Sequence, residues 1–118
     1  MSASRSRVQR AHETETAVAR WFAGRGWPYA EPVGAGRAGT DITGMPGLCV
    51  EVKARRDLDA CAWLRQAGNV AGPGFVVWRP DGSGPANIGQ WPVMVTLNDF
   101  TELLLAAGYG TRPANPED

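Results

Sequence analysis

The stretch GTDITGMPGLCVEVKARRD, residues 39–57, decides how this chain is read. Asp41-Ile42-Thr43 is a short strand-like piece, and Gly44-Met45-Pro46-Gly47 is a turn by its glycines and proline. Residues 48–54, Leu-Cys-Val-Glu-Val-Lys-Ala, form the clearest strand in the chain. Alternate side chains share a face of a strand, so Leu48, Val50 and Val52 face a core, and Cys49, Glu51 and Lys53 face away from it. Only the turn separates the two strands, which predicts a hairpin that brings Asp41 to the same end of the sheet as Glu51 and Lys53. A half-solvated strand explains a glutamate or a lysine taken singly. Three such groups gathered at one end of a sheet describe a site.

Outward from this hairpin the pattern fills in. Residues 1–7 read as a loose tail. Residues 8–25 read as a helix, with Ala11, Val18, Trp21 and Phe22 at helical spacing and Gly26 as its stop. Residues 27–33 read as an edge strand broken by Pro28 and Pro32. Residues 58–70 read as a second helix with Leu58, Cys61, Ala62 and Leu64 toward the core, and 74–79 and 91–97 as strands around a Gly/Pro loop. Asn98 or Asp99 caps a last helix that ends at Gly108, and 111–118 form a loose tail. The order α-β-β-β-α-β-β-α predicts one α/β domain over residues 8–110, a mixed sheet flanked by helices. GAGRAG, residues 34–39, matches the letters of a dinucleotide loop, but the chain after it cannot open a helix, so the glycines read as a loop that carries Arg37.

Length and composition bound the function. A chain of 118 residues, 43% hydrophobic, makes one small globular domain. No apolar run approaches the ~18 residues of a membrane span, and the Arg-rich start lacks the apolar run of a secretory signal. Two cysteines, Cys49 and Cys61, read as reduced thiols in a cytoplasmic protein. Net charge is zero, yet residues 1–65 hold ten Lys/Arg against seven Asp/Glu, and residues 66–118 hold two against five. Positive charge travels with the unusual strand, which favours an anionic partner there.

The chemistry of the gathered groups is specific. Two carboxylates held together repel unless a cation lies between them. Mg²⁺, or Mn²⁺ in its place, suits hard oxygen donors and keeps several waters. Such an ion polarises a phosphate oxygen and acidifies a bound water, and a lysine beside it steadies charge on a phosphoryl group.

Asp41 followed by Glu51-Val52-Lys53 on the next strand resembles the signature of the PD-(D/E)XK nucleases. The α-β-β-β-α-β order resembles that superfamily's core, the restriction-endonuclease-like fold. ETAVARWFAGRGW, residues 15–27, and VEVKARRD, residues 50–57, resemble the archaeal-type Holliday-junction resolvases. The resemblance covers roughly residues 8–80. It implies a Mg²⁺-dependent endonuclease acting on DNA, branched DNA in particular. It further implies Asp41, Glu51, Lys53, Glu15 and Gln66 as catalytic residues and Asp41, Glu51, Glu15 and Val52 as the metal site. Arg10, Arg37, Arg55 and Arg56 would contact DNA. Thr40 stands where the motif's name has proline.

Other readings accompany this one. The same residues would serve a restriction- or repair-type nuclease on duplex DNA, and a nuclease fold kept for binding alone is the rival from a different class. His12 reads as a solvated helix residue. Trp21 and Trp63 read as packing. Two symmetric cuts in a four-way junction need two sites, which predicts a homodimer. Trp78, Trp91, Val93 and Val95 on the late strands are the interface expected for it.

Overall fold

The computed structural model describes residues 3–34, 40–56, 58–67 and 74–111, with side chains described from residue 6. In chain order its elements are helix α1 (Ala3–Ala23), strands β1 (Glu31–Pro32), β2 (Ile42–Thr43) and β3 (Cys49–Lys53), helix α2 (Ala60–Ala67), strand β4 (Gly74–Trp78), a 3-10 segment (Pro85–Gln90), strand β5 (Val93–Met94) and helix α3 (Leu97–Ala106). The α/β order is the expected one, and the main sheet is mixed. β3 and β4 run parallel from Cys49↔Gly74 to Lys53↔Trp78, while β5 lies antiparallel on β4. A parallel pair needs a crossover, and α2 supplies it.

Helices cover both faces of the sheet. Under α1 lies the larger core: Val18, Ala19, Ala30, Ile42, Met45, Val50, Val52, Val77 and Trp91. Under α2 lies a smaller one, Trp63, Ala67 and Val76, with Trp78 and Met94 against it. Val76 and Val77 are neighbours on β4 and serve opposite cores, as strand alternation requires. No helix among the described residues is long and apolar enough to cross a membrane.

Several expectations are corrected. α1 starts at Ala3, so residues 3–7 are helical rather than a tail; they contain no breaker, and their polar run hides the helix from a reading based on apolar period. β3 is not half solvated: Cys49 is 1% exposed and Glu51 8%, because α2 covers the second face. In α2 the buried positions are Trp63 and Ala67, one turn apart, whereas Leu58 and Cys61 are exposed. Trp63 sets this phase by packing on Trp78, ring centroids 6.2 Å apart. The strands expected over 27–33 and 91–97 shrink to two residues each. Thr96, not Asn98 or Asp99, caps α3: its hydroxyl accepts from the Asp99 N–H at 3.1 Å. Trp91 is 6% exposed, so it belongs to the core rather than to an interface.

The hairpin between residues 41–43 and 48–54 does not form as a ladder. β2 pairs instead with β1, Glu31↔Thr43 and Pro32↔Ile42. Gly44 is the reason the ribbon closes this way. Its φ is +80°, and a Cβ placed there would lie 1.9 Å from the Tyr29 carbonyl oxygen. Only glycine lets the backbone pass so close.

Candidate active site

β3 has β4 on one side, and its other edge needs partners for its backbone groups. Thr40 and Asp41 provide them. The Asp41 N–H donates to the Val50 carbonyl at 2.8 Å. The Val50 N–H donates to Thr40 Oγ1 at 2.9 Å, and the Val52 N–H donates to Asp41 Oδ2 at 2.8 Å. The Thr40 hydroxyl in turn reaches the Ile42 carbonyl at 2.8 Å. Two residues thus stand in for a strand. One carboxylate oxygen of Asp41 is fixed on the backbone of β3, beside Glu51. The sequence marks Thr40 only as the residue in proline's place and does not reveal this role for its hydroxyl. Proline at that position has no hydroxyl and could not make these bonds.

Glu51 and Asp41 are brought together as expected. Burial first, then the Asp41 charge, push the Glu51 carboxyl from 4.5 up to about 7. Lys53 opposes this, with Nζ 3.9 Å from Glu51 Oε2. A hydrogen bond to Asp41 and the charge of Glu15 add to the rise. Glu15 is itself raised, by burial first and then by Asp41, while His12, exposed one turn earlier, pulls it back. Burial, Glu51 and Asp41 also raise the Cys49 thiol. The site is therefore short of positive charge. Among the described residues no three His, Cys, Asp or Glu side chains form a ready cation cage. The carboxylate pair fits Mg²⁺ by the chemistry of its oxygen donors, since that ion is commonly held by one or two carboxylates plus water and phosphate.

A stability prediction arises here. Folded Glu51 holds its proton more tightly than the unfolded chain does, so folding is favoured below 4.5 and this advantage is lost as pH climbs to about 7. The metal-free protein is expected to lose on the order of 2–3 kcal/mol of unfolding free energy between about pH 5 and pH 8 through this group. Urea melts in EDTA check it: Glu51→Gln should flatten most of the slope, and an unchanged slope would refute it.

The other expected residues are spread more widely. Gln66 is exposed in the last turn of α2 and makes no hydrogen bond to the carboxylate pair. Val52 buries its side chain in the α1 core and turns its N–H to Asp41. Arg55 and Arg56 are exposed just past β3, and the Arg55 carbonyl accepts from the Trp78 indole at 2.8 Å. Arg10 is tied to the next turn, 3.4 Å from the Pro80 carbonyl and 3.7 Å from Asp81. Arg37 lies outside the described residues.

Arg79 was missed. It is 8% exposed, and among the described residues no carboxylate lies within ion-pair distance of it. Its Nε donates to the Ser83 carbonyl at 2.8 Å and its Nη1 to Thr14 Oγ1 at 3.0 Å. Its backbone N–H donates to the Lys53 carbonyl at 2.7 Å. Arg79 therefore ties the end of β3 to α1 one residue before Glu15. Its one sequence signal is scarcity, as one of two Lys/Arg after residue 65.

No protein-family model, curated protein or solved structure matches this chain.

Proposed function

We propose that the protein is a metal-dependent endodeoxyribonuclease of the restriction-endonuclease-like fold that hydrolyses phosphodiester bonds, with branched DNA as its preferred substrate. The observation that carries the reading is the Asp41–Glu51 carboxylate pair with the Lys53 ammonium 3.9 Å from Glu51. Asp41 and Glu51 would hold Mg²⁺ or Mn²⁺, with Glu15 and Val52 as further ligands by resemblance. When bound, the ion supplies the charge that polarises a phosphate oxygen and acidifies a water. Asp41 is pre-oriented by its hydrogen bond to Val52. Lys53 stands where an ammonium can steady charge growing on a phosphoryl oxygen. Arg55 and Arg56, exposed beyond Lys53, offer the DNA backbone positive charge that the chain as a whole lacks. The preference for branched DNA rests on the resemblance of residues 15–27 and 50–57 to junction resolvases.

One panel tests the proposal: linear duplex, single strand, flap and four-way junction, each with Mg²⁺, Mn²⁺ or EDTA. Cleavage with either ion, none in EDTA, and the fastest rate on a branched substrate is the expected result. Cleavage undiminished in EDTA, or none on any substrate with either ion, would overturn the nuclease reading. Equal rates on junction and duplex would remove only the branched preference.

A further inference from the structure

Leu97, Phe100, Leu103 and Leu104 form one stripe on α3, about 120° wide by helical spacing. In a surface helix such a stripe faces the core. Here the four side chains are 79%, 47%, 55% and 38% exposed, and α3 buries no residue at all. Val93, on the neighbouring β5, is 57% exposed. Of nine large apolar side chains exposed among the described residues, six lie between Val93 and Tyr109, so apolar exposure is concentrated in this one stretch of the chain. An isolated helix shorter than about 12 residues is marginal in water, and α3 has ten.

We propose that the α3 stripe, with Val93, is a two-fold interface between two copies of this chain. The charges near it argue for this occupant. Between residues 93 and 111 the charged residues are Asp99 and Glu102, both acidic, which disfavours a nucleic acid or an anionic membrane. Helical spacing puts Glu102 on the side away from the stripe and Asp99 on its flank, about 40° from Leu103, so no charge lies within the stripe itself. The chain's zero net charge adds no long-range repulsion. An antiparallel crossing centred near Phe100 sets Leu97 of each copy toward Leu104 of the other, the reciprocal contact that a two-fold axis demands. The stripe and Val93 offer on the order of 500 Å² per copy. Two copies together reach about 1,000 Å², the lower bound for a specific interface. The dimer should therefore form reversibly and dissociate on dilution.

Sedimentation velocity over a concentration series tests this without DNA, so its outcome is independent of the nuclease reading. Wild-type protein should pass from the 12.6 kDa chain to a plateau at twice that mass. Leu97→Glu and Leu104→Glu should weaken association at least about a hundredfold, with circular dichroism and the thermal midpoint of the monomer unchanged. In a Cys61→Ser background, Phe100→Cys should form a disulfide-linked dimer on oxidation, and the control Glu31→Cys should not. Four results would each overturn the proposal: a monomer at every concentration, mass that rises without a plateau, dimers that survive Leu104→Glu, or unfolding by Leu104→Glu. The last would mean that the stripe packs on its own chain.

Discussion

Asp41→Asn is expected to lower metal-dependent cleavage by about a thousandfold or more, close to 4 kcal/mol of transition-state stabilisation, in a chain that folds normally. Asn keeps an oxygen that accepts from the Val52 N–H, the 2.8 Å bond that fixes Asp41 on β3. It removes the charge, and with it the carboxylate pair. The Glu51 carboxyl, held near 7 by burial and by Asp41, should then titrate lower. The variant should therefore be as stable as wild type at about pH 8, or more so. Asp41→Ala is a poorer test, because it leaves the Val52 N–H without its acceptor, at a cost of roughly 1–3 kcal/mol. Steady-state kcat/KM on the best substrate of the panel, read beside urea midpoints, decides the matter. Wild-type rates in folded Asp41→Asn would remove Asp41 from the chemistry.

Gly44→Ala is expected to cost stability on a comparable scale, roughly 3 kcal/mol or more. Part of this is the positive φ, about 1–2 kcal/mol for a residue with a Cβ. The larger part is steric. The added carbon would sit 1.9 Å from the Tyr29 oxygen and 2.4 Å from its carbonyl carbon, and both are backbone atoms with no rotamer to escape into. The β1–β2 ribbon must open, and Asp41 lies one residue before β2. Thermal or urea unfolding reads the loss. Gly47→Ala is the control, since Gly47 shares the positive φ, at +77°, but has nothing within 4 Å of its Cβ. If the two variants lost the same amount, the close approach to Tyr29 would carry no weight.

The order of elements was legible in the sequence from local signals, and so was the approach of Asp41 to Glu51, although the hairpin expected to bring it about does not form as a ladder. Glycine and proline punctuate the turns, and Glu51 and Lys53 share a face by strand period alone. What was not legible depends on packing between distant segments. Nothing near Leu58 or Cys61 reveals that Trp63 will lock α2 in another phase against Trp78. Nothing near Thr40 says that its hydroxyl will pair with Val50, ten residues on. Arg79 and Thr14, 65 residues apart, are joined by one hydrogen bond that no pattern announces. The helical start of α1 was hidden for the opposite reason: its first residues are polar or small, and residues 6–9 are exposed, so no apolar period marks it.

The hydrogen bonds from Thr40 and Asp41 to β3 also bear on how this protein avoids forming fibres. A strand with unpaired backbone groups is a template onto which another molecule's strand can add. On β3 the Val50 N–H and carbonyl and the Val52 N–H already have partners. Beyond β2 the ribbon ends in β1, whose Pro32 has no N–H to donate. Strand-by-strand growth is therefore blocked on the side of the candidate site. The same aspartate oxygen that orients the site also acts as a guard against amyloid-like stacking. Removing it frees a template as well as disabling a carboxylate, so Asp41→Ala preparations should deposit β-rich aggregates on standing sooner than Asp41→Asn.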